Sequence, residues 1–592
     1  MSKIEARLPK WVERRYELLW EEFRENQFDL EQAADLLKRK NKDKREEVPV
    51  FLSEIKKAGW LKAELDPKDS RKRNYVLTSR KDIIEKVLDI ESSTVGRDEI
   101  EKILKRAADL IRTRVDYKFI LVLLFLKRVN DKWELEFDKE YKKAIEDGFT
   151  EKEAKQEAAS SAYHDFDLPI EARWESIRKE VEELPAKFSK AMKILAERNP
   201  DLRDIFDNVD FLQFASNREN AEILRQLVEL FSEKRLHTVS ADILGDAYEW
   251  ILRYFSPEKA KEGEVYTPRE VIQVLVDILD PQPKESVYDP ACASGGMLII
   301  SYQHVKSLRN KKEDADKLFL YGQEANPHTL ALGRMNLYIH DITNAQLAPG
   351  DTLLRPKFKE GEEVKKFDIV LANPPWNQDG YDEDVLKKGE FWHQRFGFGF
   401  APAQSADWAW IQHMLASADK KNGRVGIVID NGCLFRGGKE GAIRQQMIDN
   451  DLIECVILLP EKLFYNTGAP GAILVLRHKK STPGKILFIN ATNKFQKHVD
   501  VRKLNQLGNE NITDIVEAYK RFKDSDFSRL VSKEEIQKND YNLSVTRYVD
   551  ISDEIEHVDI QNVLADLHEL DNERKLVESK LSKYLKEIGY EI

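Results

Sequence analysis

The sequence predicts an α/β protein: a mainly parallel sheet covered by helices, preceded by a winged-helix-like module and an all-helical domain and followed by a C-terminal coiled-coil helix. Three observations carry this expectation. After residue 260, short runs rich in Val, Ile and Leu alternate with helical patterns, the mark of parallel strands wound with helices. From Trp11 to about Thr78 the pattern is three helices and then a short strand pair. Near the end, Ile560, Val563, Leu567, Leu570, Arg574, Val577, Leu581, Tyr584 and Ile588 alternate by three and four residues, the seam of a coiled coil. A chain of 592 residues suggests about four folding units at roughly 150 residues each. The expected boundaries are 1–92 for the winged-helix-like module, 93–257 for the helical domain, 258–491 for the sheet domain and 492–592 for the helical C-terminal region with its tail.

In the first module the second helix opens at Asp29, and Gln32 is placed to close a capping box. The third helix runs through Leu52 and Ile55 and stops at Gly59. Trp60-Leu61, a polar turn and Asn74-Tyr75-Val76-Leu77 then read as a wing. The stretches KRKNKDKR (38–45) and RKR (71–73) can touch phosphates; the competing expectation is a protein-docking module with solvated charges. The helical domain begins with the amphipathic EIEKILKRAADLIRTRV, and its apolar run Phe119 to Leu126 is far short of the roughly 20 residues that a membrane helix needs, so it reads as a buried helix core.

In the sheet domain the expected strands are Ser286 to Tyr288, Leu318 to Tyr321, Phe367 to Leu371, Val425 to Ile429, Ile453 to Leu458 and Ala472 to Leu476, with another before Gly350. Ligands of such a sheet sit at the carboxyl ends of the strands. The region from about Thr492 is expected to be polar and helical, and its seam to pair either with a partner or with this chain's own helical domain.

Composition narrows the functions. With 95 Lys and Arg against 106 Asp and Glu the net charge is −11, which argues against coating nucleic acid by bulk attraction; DNA contact must be local or shared. The three cysteines lack metal or redox spacing, and MSKIEARLPKW lacks the features of a secretion signal, so the cytoplasm is the expected location. No metal site is expected.

The chemistry is expected where strands end. Val287-Tyr288-Asp289 leads into Pro290-Ala291-Cys292-Ala293-Ser294-Gly295-Gly296, a small-residue turn that lets a ligand approach the backbone. Glu324 ends the second strand, where a carboxylate can take both hydroxyls of a ribose. Asp351 follows Gly350 and can accept from an adenine amino group. The most specific signal is Asn373-Pro374-Pro375-Trp376, which chance would place about once per 100,000 positions. Its prolines stiffen the chain so that the Asn373 side-chain oxygen and the Pro374 carbonyl can both accept from one NH2 group, while Trp376 offers a ring face. Accepting those hydrogens localises the nitrogen lone pair for attack, so no strong base is needed. Upstream, Thr267 is expected to cap a helix with Pro268 at its first position and Glu270 closing the box, leaving N–H groups that attract a carboxylate.

The loop DPACASGG followed by NPPW resembles motifs I and IV of the S-adenosylmethionine-dependent amino-methylating DNA methyltransferases. Segments such as LGDAYEWILRYF, EVYTPREVIQVLV, GQEANPHTLALGRMNLYIHDI, GRVGIVIDNGCLFRGGKEGAIRQQMI and YNLSVTRYV resemble, in order, the modification subunit of type I restriction-modification systems, over roughly residues 100 to 550. The resemblance implies a Rossmann-like S-adenosylmethionine-dependent methyltransferase domain. It implies that Glu264, Val265, Tyr266, Thr267, Pro268, Arg269, Asp289, Ser294, Gly295, Gly296, Glu324 and Asp351 hold S-adenosylmethionine, and that Asn373, Pro374, Pro375 and Trp376 hold a flipped adenine for N6 methylation. It also implies double-stranded DNA, a specificity subunit (two modification subunits to each) and a restriction/translocase subunit as partners, and no membrane.

Two features depart from the family pattern. Ala293 stands where many relatives carry glycine, so a positive φ there would strain the loop, and the winged-helix-like module is an addition. The alternatives are a scaffold that has lost methylation and a stand-alone amino-methyltransferase. Methylation at C5 of cytosine would need a cysteine nucleophile after a proline, a setting Cys433 and Cys455 lack. Gly437-Gly438-Lys439-Glu440 fails as a phosphate loop. The aromatic and basic run Phe391 to Phe396 is expected to be a packed loop rather than a DNA-facing one.

Overall fold

The computed structural model describes residues 10–24, 26–57, 60–65, 73–78, 97–111, 116–179, 183–199, 202, 205–206, 209–233, 236, 241–259, 267–309, 312–465, 467–498, 501–551, 567–568, 570–572 and 574–581. The chain divides into two compact units, Met1–Phe255 with Arg334–Thr343, and Ser256–Gly333 with Asn344–Ile592.

The first unit opens with helices Lys10–Phe23, Leu30–Asn41 and Val48–Lys57, then an antiparallel pair β1 (Leu61–Leu65) and β2 (Arg73–Leu77). The capping box forms: Gln32 N donates to Asp29 Oδ1 and Asp29 N to Gln32 Oε1, both at 2.9 Å. Phe28 bridges Tyr75 as a one-residue third strand, and Val12, Leu19, Leu37, Phe51, Ile55 and Trp60 form a small core. The three helices and the strand pair follow in the order expected of the winged-helix-like module. Among the described residues the remaining elements of the unit are helices. In Lys118–Glu146 the run Ile120 to Leu126 is buried, because it is apolar on every face and must be covered on every face. Among the described residues no helix is long and apolar enough to cross a membrane.

The second unit is a nine-stranded mixed sheet. Its strands are β3 (Ser286–Asp289), β4 (Phe319–Glu324), β5 (Gln346–Pro349), β6 (Ile369–Ala372), β7 (Arg424–Asp430), β8 (Ile453–Leu458), β9 (Gly471–Arg477), β10 (Lys485–Asn490) and β11 (Ser528–Ser532). Their order is β11-β10-β8-β9-β7-β6-β3-β4-β5. The strands from β5 to β7 run parallel, whereas β9 is antiparallel to both of its neighbours and β11 to β10. The sheet core is built of residues such as Val370, Ile427, Val456, Leu474 and Phe488, and Trp408 packs into it fully buried.

Two expectations are corrected. The region after residue 492 is not wholly helical: Ser528–Ser532 joins the sheet as its edge. Its sequence, SRLVS, buries Ser528 and Val531 and exposes Arg529, and shows too little apolar alternation to stand out. The helix expected to start with Thr267 as its cap runs Arg269–Leu279, has Pro268 at the cap position and no side-chain cap. In the tail, 567–568, 570–572 and 574–581 are helical, and the seam residues Leu567, Leu570, Val577 and Leu581 are all more than half exposed. Ile560, Val563, Tyr584 and Ile588 lie outside the described residues.

Candidate active site

The Asn-Pro-Pro-Trp segment leaves the carboxyl end of β6, which lies between β7 and β3 in the parallel part of the sheet, where loops from neighbouring strands converge. The Asn373 amide is fixed at both ends. Its Nδ2 donates to Thr267 Oγ1 at 2.8 Å, and its Oδ1 accepts the Trp376 indole N–H at 2.9 Å. An indole N–H only donates, so the amide orientation is determined. This is why Thr267 caps no helix: its hydroxyl serves a residue from another strand. Oδ1 keeps a second lone pair, and among the described residues the Pro374 carbonyl accepts no hydrogen bond. Trp376 is half-buried, its N–H also near the Val428 carbonyl of β7 at 3.3 Å and its ring edge-to-face with Phe464 at 4.7 Å between centroids. Gly471 makes room for both rings, since a Cβ there would lie 2.8 Å from Trp376 and 2.7 Å from Phe464.

One strand over, the small-residue loop follows β3. Asp289 is buried, its Oδ1 accepting the Ala291 N–H at 3.0 Å. Burial first, and the nearby Glu324 to a lesser extent, push this carboxyl up to about 8. Ala293 adopts φ +43°, the strained conformation its position made possible, at a cost of roughly 1–2 kcal/mol. The loop is tied to β4 twice: Cys292 N donates to the Gln323 carbonyl at 3.0 Å and Ala293 N to Glu324 Oε2 at 3.0 Å. Glu324 Oε1 also accepts from Asn326 N at 2.8 Å. Gly295 and Gly296 close the loop and start the helix Gly296–Arg309, with Ser294 half-buried beside them. Asp351 accepts the Tyr381 hydroxyl at 2.8 Å.

The loops of Asp289, Ser294 to Gly296, Glu324 and Asp351 are thus linked at adjacent strand ends, with Thr352 Oγ1 bonded to the Pro290 carbonyl at 2.6 Å. Thr267 joins Asn373. Arg269 turns elsewhere, donating to Gln303 at 2.8 Å, and Glu264, Val265 and Tyr266 lie outside the described residues. Arg395 is buried on the carbonyls of Thr352, Leu353 and Glu390 and Phe396 is buried beside it, whereas His393 and Gln394 of the same run are exposed. Cys433 and Cys455 are buried, and burial raises both thiols well above their usual range.

Three residues escaped the sequence reading. Tyr381 holds Asp351. Asp407 accepts the backbone N–H of Asn377, the residue after Trp376, at 3.0 Å. Arg436 donates to Asn377 Oδ1 at 2.6 Å and to Asp407 Oδ2 at 3.0 Å. A signal for Asp407 was present, since it is the one charge in the apolar helix DWAWIQHMLAS, and burial pushes its carboxyl up to about 6.

Comparison with known proteins supplies the family. The N-6 DNA methylase model matches residues 239–557 and the HsdM N-terminal domain model residues 100–231. The chain is 40% identical to the type I restriction enzyme MjaVII methylase subunit of Methanocaldococcus jannaschii, over 98% of each chain. It is 42% identical to the MjaVIII methylase subunit of the same organism, over 97% of each. Among solved structures, the methyltransferase subunit of a type I restriction-modification system from Streptococcus thermophilus aligns with a TM-score of 0.67 and 25% identity, covering 77% of this chain and 100% of that one.

Proposed function

Because the chain belongs to the N-6 DNA methylase family, and within it to the type I restriction enzyme methylase subunits, we propose that it moves a methyl group from S-adenosylmethionine to N6 of an adenine flipped out of duplex DNA. That it is an adenine-specific DNA methyltransferase follows from the family. The donor, the flipped base and the residue roles are our reading, and the observation that carries them is the Asn373 amide locked between Thr267 and Trp376.

The residues present fit the cofactor. Glu324 accepts a backbone N–H on each oxygen, which holds its carboxylate at the end of β4, the place where a carboxylate can take ribose hydroxyls. Asp289, neutral because it is buried, would ionise beside a cationic ligand. Ser294, Gly295 and Gly296 line the loop between them, Thr267 lies against Asn373, and Asp351, steadied by Tyr381, completes the set. When bound, S-adenosylmethionine supplies an electrophilic methyl on its sulfonium.

The chain's own residues then act by position. Asn373 Oδ1 and the Pro374 carbonyl accept the two hydrogens of the adenine amino group, which draws its lone pair out of conjugation. Pro375 stiffens the turn, and Trp376 supplies the aromatic wall that repays part of the cost of unstacking. Rate enhancement of this kind comes from alignment rather than from a strong base.

A specificity subunit supplies sequence recognition and a restriction subunit supplies cleavage; two copies of this chain serve each specificity subunit. The exposed seam Leu567, Leu570, Val577 and Leu581 supports an assembly surface on the tail, and the net charge of −11 supports shared DNA contact. The test is methyl transfer from labelled S-adenosylmethionine to DNA, with and without the specificity subunit. Transfer to adenine with the partner, reduced about 100-fold or more in Asn373→Ala, is expected; no transfer in either case overturns the reading. Leu570→Asp with Val577→Asp should abolish co-purification with the specificity subunit while leaving cofactor binding unchanged.

A further inference from the structure

On the sheet unit, the turn after β7 and the segment from Tyr541 to Arg547 enclose a shallow cleft of about 450 Å³ lined by Phe435, Asn542, Ser544, Thr546 and Arg547. Both walls are held by one buried side chain. Arg444, 3% exposed, donates to the carbonyls of Tyr541 at 2.8 Å, Cys433 at 3.1 Å and Arg436 at 2.8 Å. Leu543 N adds a bond to the Leu434 carbonyl at 3.0 Å. Burying a guanidinium is costly unless its donors are satisfied, and here the three carbonyls fix the backbone on either side of Phe435. The ring so supported faces outward, 46% exposed.

The next residue, Arg436, runs from this wall to the catalytic strand, donating to Asn377 Oδ1 at 2.6 Å and pairing with Asp407. An exposed aromatic is therefore braced against the residue that follows Trp376. The lining of the cleft is mostly polar and carries a single aromatic ring. It holds one ring, two hydroxyls, an amide and a guanidinium whose nearest partner is the neutral Asn539 oxygen at 3.3 Å; among the described residues Arg547 forms no ion pair. A stacking ring beside a free cation is how proteins hold a nucleotide without reading its sequence.

We propose that this cleft takes one nucleotide of the substrate DNA next to the flipped adenine, its base stacked on Phe435 and its phosphate paired with Arg547. The proposal rests on the base-flipping reading above. The nucleotide can belong to the target strand or to the opposite one.

The test is equilibrium binding of a target duplex to the full chain assembled with its specificity subunit, across a salt series. Phe435→Ala should bind about tenfold more weakly and Phe435→Trp like the native protein. Arg547→Ala should weaken binding to every sequence and lower the salt slope by about one. S-adenosylmethionine affinity should not change. A 2-aminopurine in either strand identifies the source, its quenching being lost in Phe435→Ala at the position that stacks. Native affinity and salt slope in both variants, or loss of 2-aminopurine quenching at neither position, overturns the proposal. Failure of the variants to assemble with the specificity subunit also overturns it, assigning the cleft to protein docking. Binding is read apart from transfer, so a native complex that binds but never methylates would sink the methylation reading and leave these results to decide the cleft.

Discussion

Asn373 and Thr267, 106 residues apart in sequence, are joined by a 2.8 Å hydrogen bond from the Asn373 amide to the Thr267 hydroxyl. The bond fixes which face of the amide is the acceptor, and it connects the loop after β6 to the start of the helix Arg269–Leu279.

Thr267→Ala should therefore slow methyl transfer about tenfold, the worth of one hydrogen bond, while Thr267→Ser stays within about twofold. Thr267 is half-buried, so the unfolding midpoint should hardly move. Single-turnover transfer at saturating cofactor measures this. Native rates in Thr267→Ala would mean that the amide is held without Thr267.

Gly471→Ala places a methyl 2.8 Å from the Trp376 ring and 2.7 Å from Phe464. Overpacking should cost about 1–3 kcal/mol of stability, and the displaced Trp376 should lower transfer while cofactor binding by calorimetry stays native. A variant as active and as stable as the native chain would show that the rings have room to spare.

Ala293 pays the strain of φ +43°. Ala293→Gly should match or exceed the native chain by up to about 1 kcal/mol, because glycine relieves the strain but loses more freedom on folding. Ala293→Val should lose more than about 1 kcal/mol and bind S-adenosylmethionine more weakly, since a β-branched residue resists this conformation. Denaturation and calorimetry decide; a stable, tightly binding Ala293→Val would contradict the strain.

Asp289 should make stability depend on pH. Its carboxyl titrates at about 8 when folded and near 4 when unfolded, so the folded state holds its proton more firmly. That contribution is complete below about pH 4 and lost as pH rises through 8. Asp289→Asn should remove this slope, so the difference in unfolding free energy between the two chains should change steadily from pH 5 to about 7.5 and level off above 8. A constant difference would mean that Asp289 is ionised at neutral pH in the folded state.

Much of the candidate site was legible in the sequence. Asn373 to Trp376 are rare enough together to declare themselves, and the small residues from Ala291 to Gly296 mark a tight approach by composition alone. Burial decided Asp289, because nothing in its neighbours sets how far water is excluded. Asp407 and Arg436 became legible only when the helix Asp407–Ser417 and the turn after β7 were brought to the back of Asn377.

By itself the sequence determined the local chemistry: apolar runs that must be strands, the Asp29–Gln32 cap, and the strand ends where acids and Asn373 sit. The tertiary structure decided which of these meet. It took Thr267 from the helix cap and gave it to Asn373, set β9 antiparallel between β7 and β8, and added Ser528–Ser532 to the sheet. The reason is physical: a cap or an alternation is satisfied within a few residues, whereas a long-range hydrogen bond, a strand's direction and the burial of a charge depend on chain segments a hundred residues away.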